Sequence, residues 1–170
     1  MLKPAILLID CPDRKGIVVT IINFLVDRYD VNILNADQHQ DAELGLFFTR
    51  IEFTTATFAS AAAAACKASF AEAFTPVAEA FAMNWRLELA EAPQNVALFV
   101  SQYLHCLADL LHRYQTAELR CNVARVSQND QLSSLIAKGR DLERLVLSRA
   151  VQWHLDHRIL SYANKTVIFA

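Results

Sequence analysis

Glycine and proline are scarce in this chain, 3 and 4 among 170 residues. That excludes collagen-like and low-complexity architectures and leaves little sequence for flexible tethers. Positive charge is not in excess either, with 16 Lys and Arg against 18 Asp and Glu and a formal net charge of -2. Nucleic acid is therefore not an expected partner, because phosphate binding draws on a basic surface that releases counterions. Long apolar runs are missing: MLKPAILLIDCPD holds one Lys and then AILLI, too short for the core of a secretory leader or for a membrane span. The expectation is a cytoplasmic protein with no membrane segment. Cys11, Cys66, Cys106 and Cys121 form no CxxC pair, so the thiols read as reduced, with no disulfide framework and no metal site.

What the chain has in quantity is apolar surface, 54% of its residues, enough at this length for a real core in one or two domains. AILLI (5–9) reads as a central strand covered on both faces. CPDRKG is a tight turn, and IVVTIINFLVDRY repeats apolar residues at helical spacing through Ile17, Ile21 and Leu25. A mostly polar strand follows near Asn32 to Gln40, then the acidic turn QDAELG. The third strand, Leu44 to Thr54, sets Phe47, Ile51 and Phe53 on one face. Phe58, Ala62, Cys66, Phe70 and Phe74 step by four along a second helix, and MNWRLEL alternates as a half-buried strand. This βαββαβ order over residues 1–90 is the ferredoxin-like plan, with the first and third strands central.

Beyond the polar break EAPQ, NVALFVS reads as a buried strand and LHCLADLLHRY as a helix. NDQLSSLIAKG and RDLERLVLSRAVQWHLD give two further helices broken at Gly139, the charges of the second forming a solvated face. RILSYANKTVIF reads as a closing hairpin. Between them AELRCNVARVSQND fits neither side. One βα unit has no second parallel strand to pair with, so the strand at 95–101 is expected to find a partner in the terminal hairpin or in another subunit.

LLIDCPDRKGIVVTIINFL, NILNADQHQDAELGLFFTRIEF and FTPVAEAFAMNWRL together resemble the N-terminal ACT domain of formyltetrahydrofolate deformylases. VALFVSQYLHCLADLLHRYQTAELRCNV is similar to the opening of the formyltransferase-like catalytic domain of that family. RVSQNDQLSSLIAKGRDLERLVLSRAVQWHLDHRILSYANKTVIF is similar to its last helices and hairpin. The resemblance implies an α+β fold. An ACT domain would occupy 1–91, and a truncated α/β formyltransferase-like remnant, with its C-terminal helices and hairpin, would occupy 92–170. The joint within the remnant falls near 121–125.

The family hydrolyses 10-formyltetrahydrofolate to formate and tetrahydrofolate, supplying purine synthesis, with no cofactor beyond the folate substrate. The resemblance places its Asn and His in a segment like NIHHSFLP and its Asp before a DEGPI-like turn; neither segment occurs in this sequence. The expectation is a hydrolase by family with no catalytic residue in this chain.

The resemblance also implies an ACT-type site for a small amino acid, glycine or methionine, between the turn of one subunit and a strand of its neighbour in a homo-oligomer. Asp13, Arg14, Gly16 and Ile17 would supply the turn, where free helix amides attract a carboxylate, and Asn32, Ile33 and Asn35 the strand. The competing reading is a helix start capped by Asp13 within a structural dimerisation module. His39 on the polar edge strand suits an interface or a ligand contact. His105 with His112, and His154 with His157, have spacings that can share a helix face but lack the cluster a metal needs. Ser101, His105 and Asp109 carry triad letters without a nucleophile turn and read as a helix start.

Overall fold

In the computed structural model, which describes residues 4–58, 63–89, 93–100, 105–128 and 140–169, the apolar run near the N-terminus is β1 (Pro4–Pro12). It is central because both neighbours pair with it antiparallel: β3 (Leu46–Thr54) on one side and β4 (Asn84–Leu89) on the other. β2 (Asn32–Asp41) pairs with the outer side of β3, giving the order β2-β3-β1-β4. Helices α1 (Ile17–Tyr29) and α2 (Ala63–Phe81) complete the βαββαβ order read from the sequence.

The alternation of side chains along a strand divides β1 between two apolar layers. Ala5, Leu7, Ile9 and Cys11 join α1 and α2 in the larger core, with Phe70 and Phe74 fully buried at its centre. Ring packing fixes that core: Phe70 lies 5.4 Å from Phe74, 5.3 Å from Tyr29 and 5.6 Å from Trp85 between centroids. Ile6 and Leu8 face the other way, into a second cluster with Phe48, Val167 and Phe169.

Val167 comes from the terminal hairpin, β7 (Ile159–Tyr162) and β8 (Lys165–Ile168), and Phe169 directly follows it. Residues Met1–Glu91 and His157–Ala170 thus form one compact unit. The division expected from the sequence placed the hairpin with 92–170; the packing groups it with the first four strands instead. Its physical reason is the apolar second face of β1 and β3, which Val167, Phe169, Leu160 and Tyr162 cover. Polar contacts reinforce the placement. Arg50, 5% exposed, donates from Nε to the His157 carbonyl at 3.1 Å and pairs with Glu52 at 2.9 Å. Arg86 donates to the Ile159 carbonyl at 2.9 Å.

The other unit, Ala92–Asp156, contains β5 (Gln94–Val100), α3 (His105–Gln115), β6 (Cys121–Gln128) and α4 (Arg140–Leu155). Here the structure overturns an expectation. Cys121–Gln128, within the stretch that fitted neither side, is a strand, and β6 pairs with β5 in parallel, from Gln94 opposite Cys121 to Val100 opposite Gln128. The partner expected in the terminal hairpin or another subunit is supplied by the puzzling stretch itself, closing a βαβ unit around Leu110, Leu119 and Cys121. The helix expected over 129–139, Gly139, and Ala62 of the α2 stripe lie outside the described residues.

Candidate functional site

After Pro12 the chain turns through Asp13 to Gly16 and enters α1. Gly16 is the residue at the helix entry, with φ 91°, a left-handed conformation that costs little only for glycine. A Cβ there would meet nothing within 4 Å, so backbone conformation, not close approach, is what requires glycine. The first turn has no side-chain cap and no acidic residue, so no side chain caps its amides.

Asp13, expected to cap the helix, does not. Its carboxylate accepts a hydrogen bond from Gln40 Nε2, and its amide donates to the Gly45 carbonyl at 2.8 Å. Gln40 is at the end of β2 and Gly45 in the turn that follows, so Asp13 ties the β1–α1 turn to the β2–β3 connection. Arg14 places its guanidinium 5.3 Å from the centre of the Phe81 ring. An open cleft of about 230 Å³ lies beside these residues, lined by Asp13, Arg14, Gly16, Ile17, Val18, Val19 and Phe47. That is smaller than the roughly 300 Å³ at which sites for drug-sized ligands begin.

Four of the expected site residues, Asp13, Arg14, Gly16 and Ile17, therefore share one cleft. Asn32, Ile33 and Asn35 do not join them. They pair with Thr54, Phe53 and Glu52 across a bulge at the start of β2, whereas Gln40, the β2 residue that touches Asp13, is at its other end. At roughly 3.3 Å per residue, Gln40 lies about 17 Å from Asn35 and about 26 Å from Asn32 along the strand. Asn32 and Asn35 are exposed, Asn35 donating to Asp37 at 3.0 Å, and Ile33 packs on the core.

His39 is exposed on edge strand β2, with its ring 6.0 Å from that of Phe48. His112 and His154 are exposed, and His157 is buried in the turn after α4, at φ 52° and beyond the helix that was to carry it beside His154. Asp109 is held by Arg113 at 2.9 Å in an i,i+4 pair. Ser101 and the His105 side chain lie outside the described residues. Among the described residues no cluster of three His, Cys, Asp or Glu side chains is arranged to hold a metal. Cys11, next to the turn, has its thiol pushed up to about 11 by burial and then by the Asp10 charge, which keeps it protonated near neutrality and a poor nucleophile.

A residue that sequence reasoning passed over sits on the far side of the β2–β3 turn. Asp41, 8% exposed, accepts hydrogen bonds through Oδ2 from Tyr162 Oη at 2.8 Å and Lys165 Nζ at 2.9 Å. Its Oδ1 accepts the Glu43 and Leu44 amides, each at 3.1 Å. Bonds from Lys165, Tyr162 and the Leu44 amide hold the carboxyl well below the ordinary carboxylate range. The sequence offered only an Asp at a hairpin start, a common turn signal; its side-chain partners Tyr162 and Lys165 are more than a hundred residues away.

No protein-family profile matches the chain, but individual proteins do. A formyltetrahydrofolate deformylase of Bacillus subtilis is 41% identical over 126 residues, 74% of this chain and 40% of that protein. One from a Corynebacterium species is 32% identical over 163 residues, 95% of this chain and 55% of that protein. The chain thus spans about half the length of these two relatives or less. A third, from Synechocystis, is 26% identical over 285 positions that cover 98% of each protein. With 170 residues in this chain, the shortfall lies inside that alignment. Among solved structures, the crystal structure of a formyltetrahydrofolate deformylase from Pseudomonas syringae shares the fold, with a TM-score of 0.85, 24% identity, and coverage of 100% of this chain and 95% of that one.

Proposed function

Because the chain is homologous to formyltetrahydrofolate deformylases over most of its length, we propose that it is an internally shortened form of that enzyme. In this reading the ACT part is retained and the hydrolytic centre is lost. The observation that carries it is the absence from the sequence of any segment like NIHHSFLP or DEGPI, together with the shortfall inside the Synechocystis alignment.

The reaction itself sets what is missing. Water must attack the formyl carbon of 10-formyltetrahydrofolate, an oxyanion must be stabilised, and a proton must reach the departing nitrogen to give formate and tetrahydrofolate. An Asn donor, a His and an Asp would share those tasks. Without them this chain alone releases no formate and makes no contribution of its own to purine synthesis. No cofactor enters the reading.

What remains is a binding module. The cleft at the β1–α1 turn supports it, because uncapped helix amides beside Arg14 suit the carboxylate of a small amino acid such as glycine or methionine. The separation along β2 between Gln40, which holds Asp13, and Asn32, Ile33 and Asn35 suits a site shared by two subunits of a cytoplasmic homo-oligomer, the strand residues coming from the neighbour. Single-turnover hydrolysis of 10-formyltetrahydrofolate by the purified chain, with and without glycine or methionine, tests both parts. The expected result is no formate above the uncatalysed rate, with a rise in melting temperature on adding one of the amino acids. Formate release would mean that other residues have rebuilt the active site.

A further inference from the structure

The β2–β3 turn touches two things at once. On one side Gln40 and the Gly45 carbonyl hold the side chain and amide of Asp13. On the other, Asp41 takes Tyr162 and Lys165 from the C-terminal hairpin while its second oxygen orders the Glu43 and Leu44 amides that lead to Gly45. The start of β3 repeats the arrangement. Phe47 lines the cleft, and Phe48, on the opposite face of the same strand, lies 4.4 Å from the Tyr162 ring.

We propose that the C-terminal hairpin is the output element of the turn site: docking of β7–β8 through the Asp41–Tyr162–Lys165 latch and occupancy of the β1–α1 cleft favour one another through the β2–β3 turn. A ligand that fixes Asp13 fixes Gly45 and Gln40, and with them the geometry of Asp41 that the hairpin grips. By linkage the hairpin, when docked, prepares the cleft. The two states are a docked and a released hairpin, which gives the coupling a discrete element to act on. The hairpin is also where signal can leave the unit, since only Asp156, His157 and Arg158 separate β7 from α4. The role given to the cleft rests on the ligand reading above; the coupling between latch and turn does not.

The test removes the hairpin's two donors and leaves Asp41 and its turn untouched: Tyr162→Phe with Lys165→Met in the full chain, read by amide hydrogen exchange. Exchange of the Asp13 amide, which is bonded to the Gly45 carbonyl, is expected to speed up about fivefold or more, the lower end of coupling between sites. Amides in the middle of α2 keep their wild-type rates. Unchanged Asp13 protection overturns the proposal, whether or not any ligand binds. Should the double variant exchange everywhere, Lys165→Met alone is read by the same criterion, since that side chain is half exposed. Titration of the wild-type chain with glycine and methionine is a separate arm. If neither binds, the amino-acid reading of the cleft fails while the exchange result still decides the coupling; if one binds, it must slow exchange across 159–168, and no slowing overturns the proposal.

Discussion

Asp41 shows how one carboxylate can fasten distant parts of a chain. Four donors converge on it, and charge-assisted bonds of this kind are stronger than neutral ones. Its pKa is lowered in the folded state, so its contribution to stability is full above the ordinary Asp value of about 3.9. That contribution is lost as the pH falls through the lower folded value. The Asp41→Asn variant is expected to melt below wild type at pH 7, with the gap closing as both are titrated from about pH 4 towards pH 2. Thermal unfolding at several pH values checks this, and a gap independent of pH would show that the charge on Asp41 is not what stabilises the hairpin. At the alkaline end Lys165 is raised by its bond to Asp41, and Tyr162 is raised by burial and by the same carboxylate. Both contributions are complete below the unfolded pKa of each group and disappear as the pH rises through the folded one. Nothing in DAELG announces this role, because a turn Asp looks the same whether or not a Tyr and a Lys reach it from the other end of the chain.

Individual elements were legible where their own periodicity decided them. The four-residue step of Cys66, Phe70 and Phe74 gave α2 its buried face, and the two-residue step of Phe47, Ile51 and Phe53 gave β3 its register towards the helices. Phe70 is the point where that logic is most exposed to test. It is fully buried and packs against Phe24, Tyr29, Phe58, Phe74 and Trp85. Phe70→Ala is expected to cost about 3–5 kcal/mol, transfer and cavity terms together. Denaturant unfolding followed by a probe in this unit checks it through a lower midpoint at unchanged slope. What could not be read locally was β6. CNVARVSQ has a short, broken apolar pattern, and a strand's partner is a non-local choice that periodicity does not encode. The same holds for the cleft. The turn residues were legible as a helix entry, but Asp13 proved to serve the β2–β3 turn, because Gln40 and Gly45 reach it through pairing that only the fold creates.

At the scale of the whole molecule, two units of unequal means share the chain. The first has a four-stranded sheet covered on one face by helices and on the other by the hairpin, with every apolar side chain from Ala5 to Ile9 at 3% exposure or less. The second has, among the described residues, two parallel strands and a core centred on Leu110, Leu119 and Cys121, while Leu145, Val146 and Leu147 of α4 are 50%, 64% and 41% exposed. Parallel sheets elsewhere owe their stability to burial of several strands on both faces, and an isolated pair of strands is marginal. Each fully buried aliphatic side chain contributes roughly 1.5–3 kcal/mol, so the smaller core found among the described residues corresponds to a smaller free energy of opening. Amides of β5 and β6 are therefore expected to exchange through a sub-global opening well before those of β1 and β3, which should exchange only on global unfolding. Hydrogen exchange across increasing denaturant distinguishes the cases. If amides at 94–100 and 121–128 merge with those of β1 into one isotherm, the second unit is as stable as the first, and two parallel strands with their helices suffice to hold it.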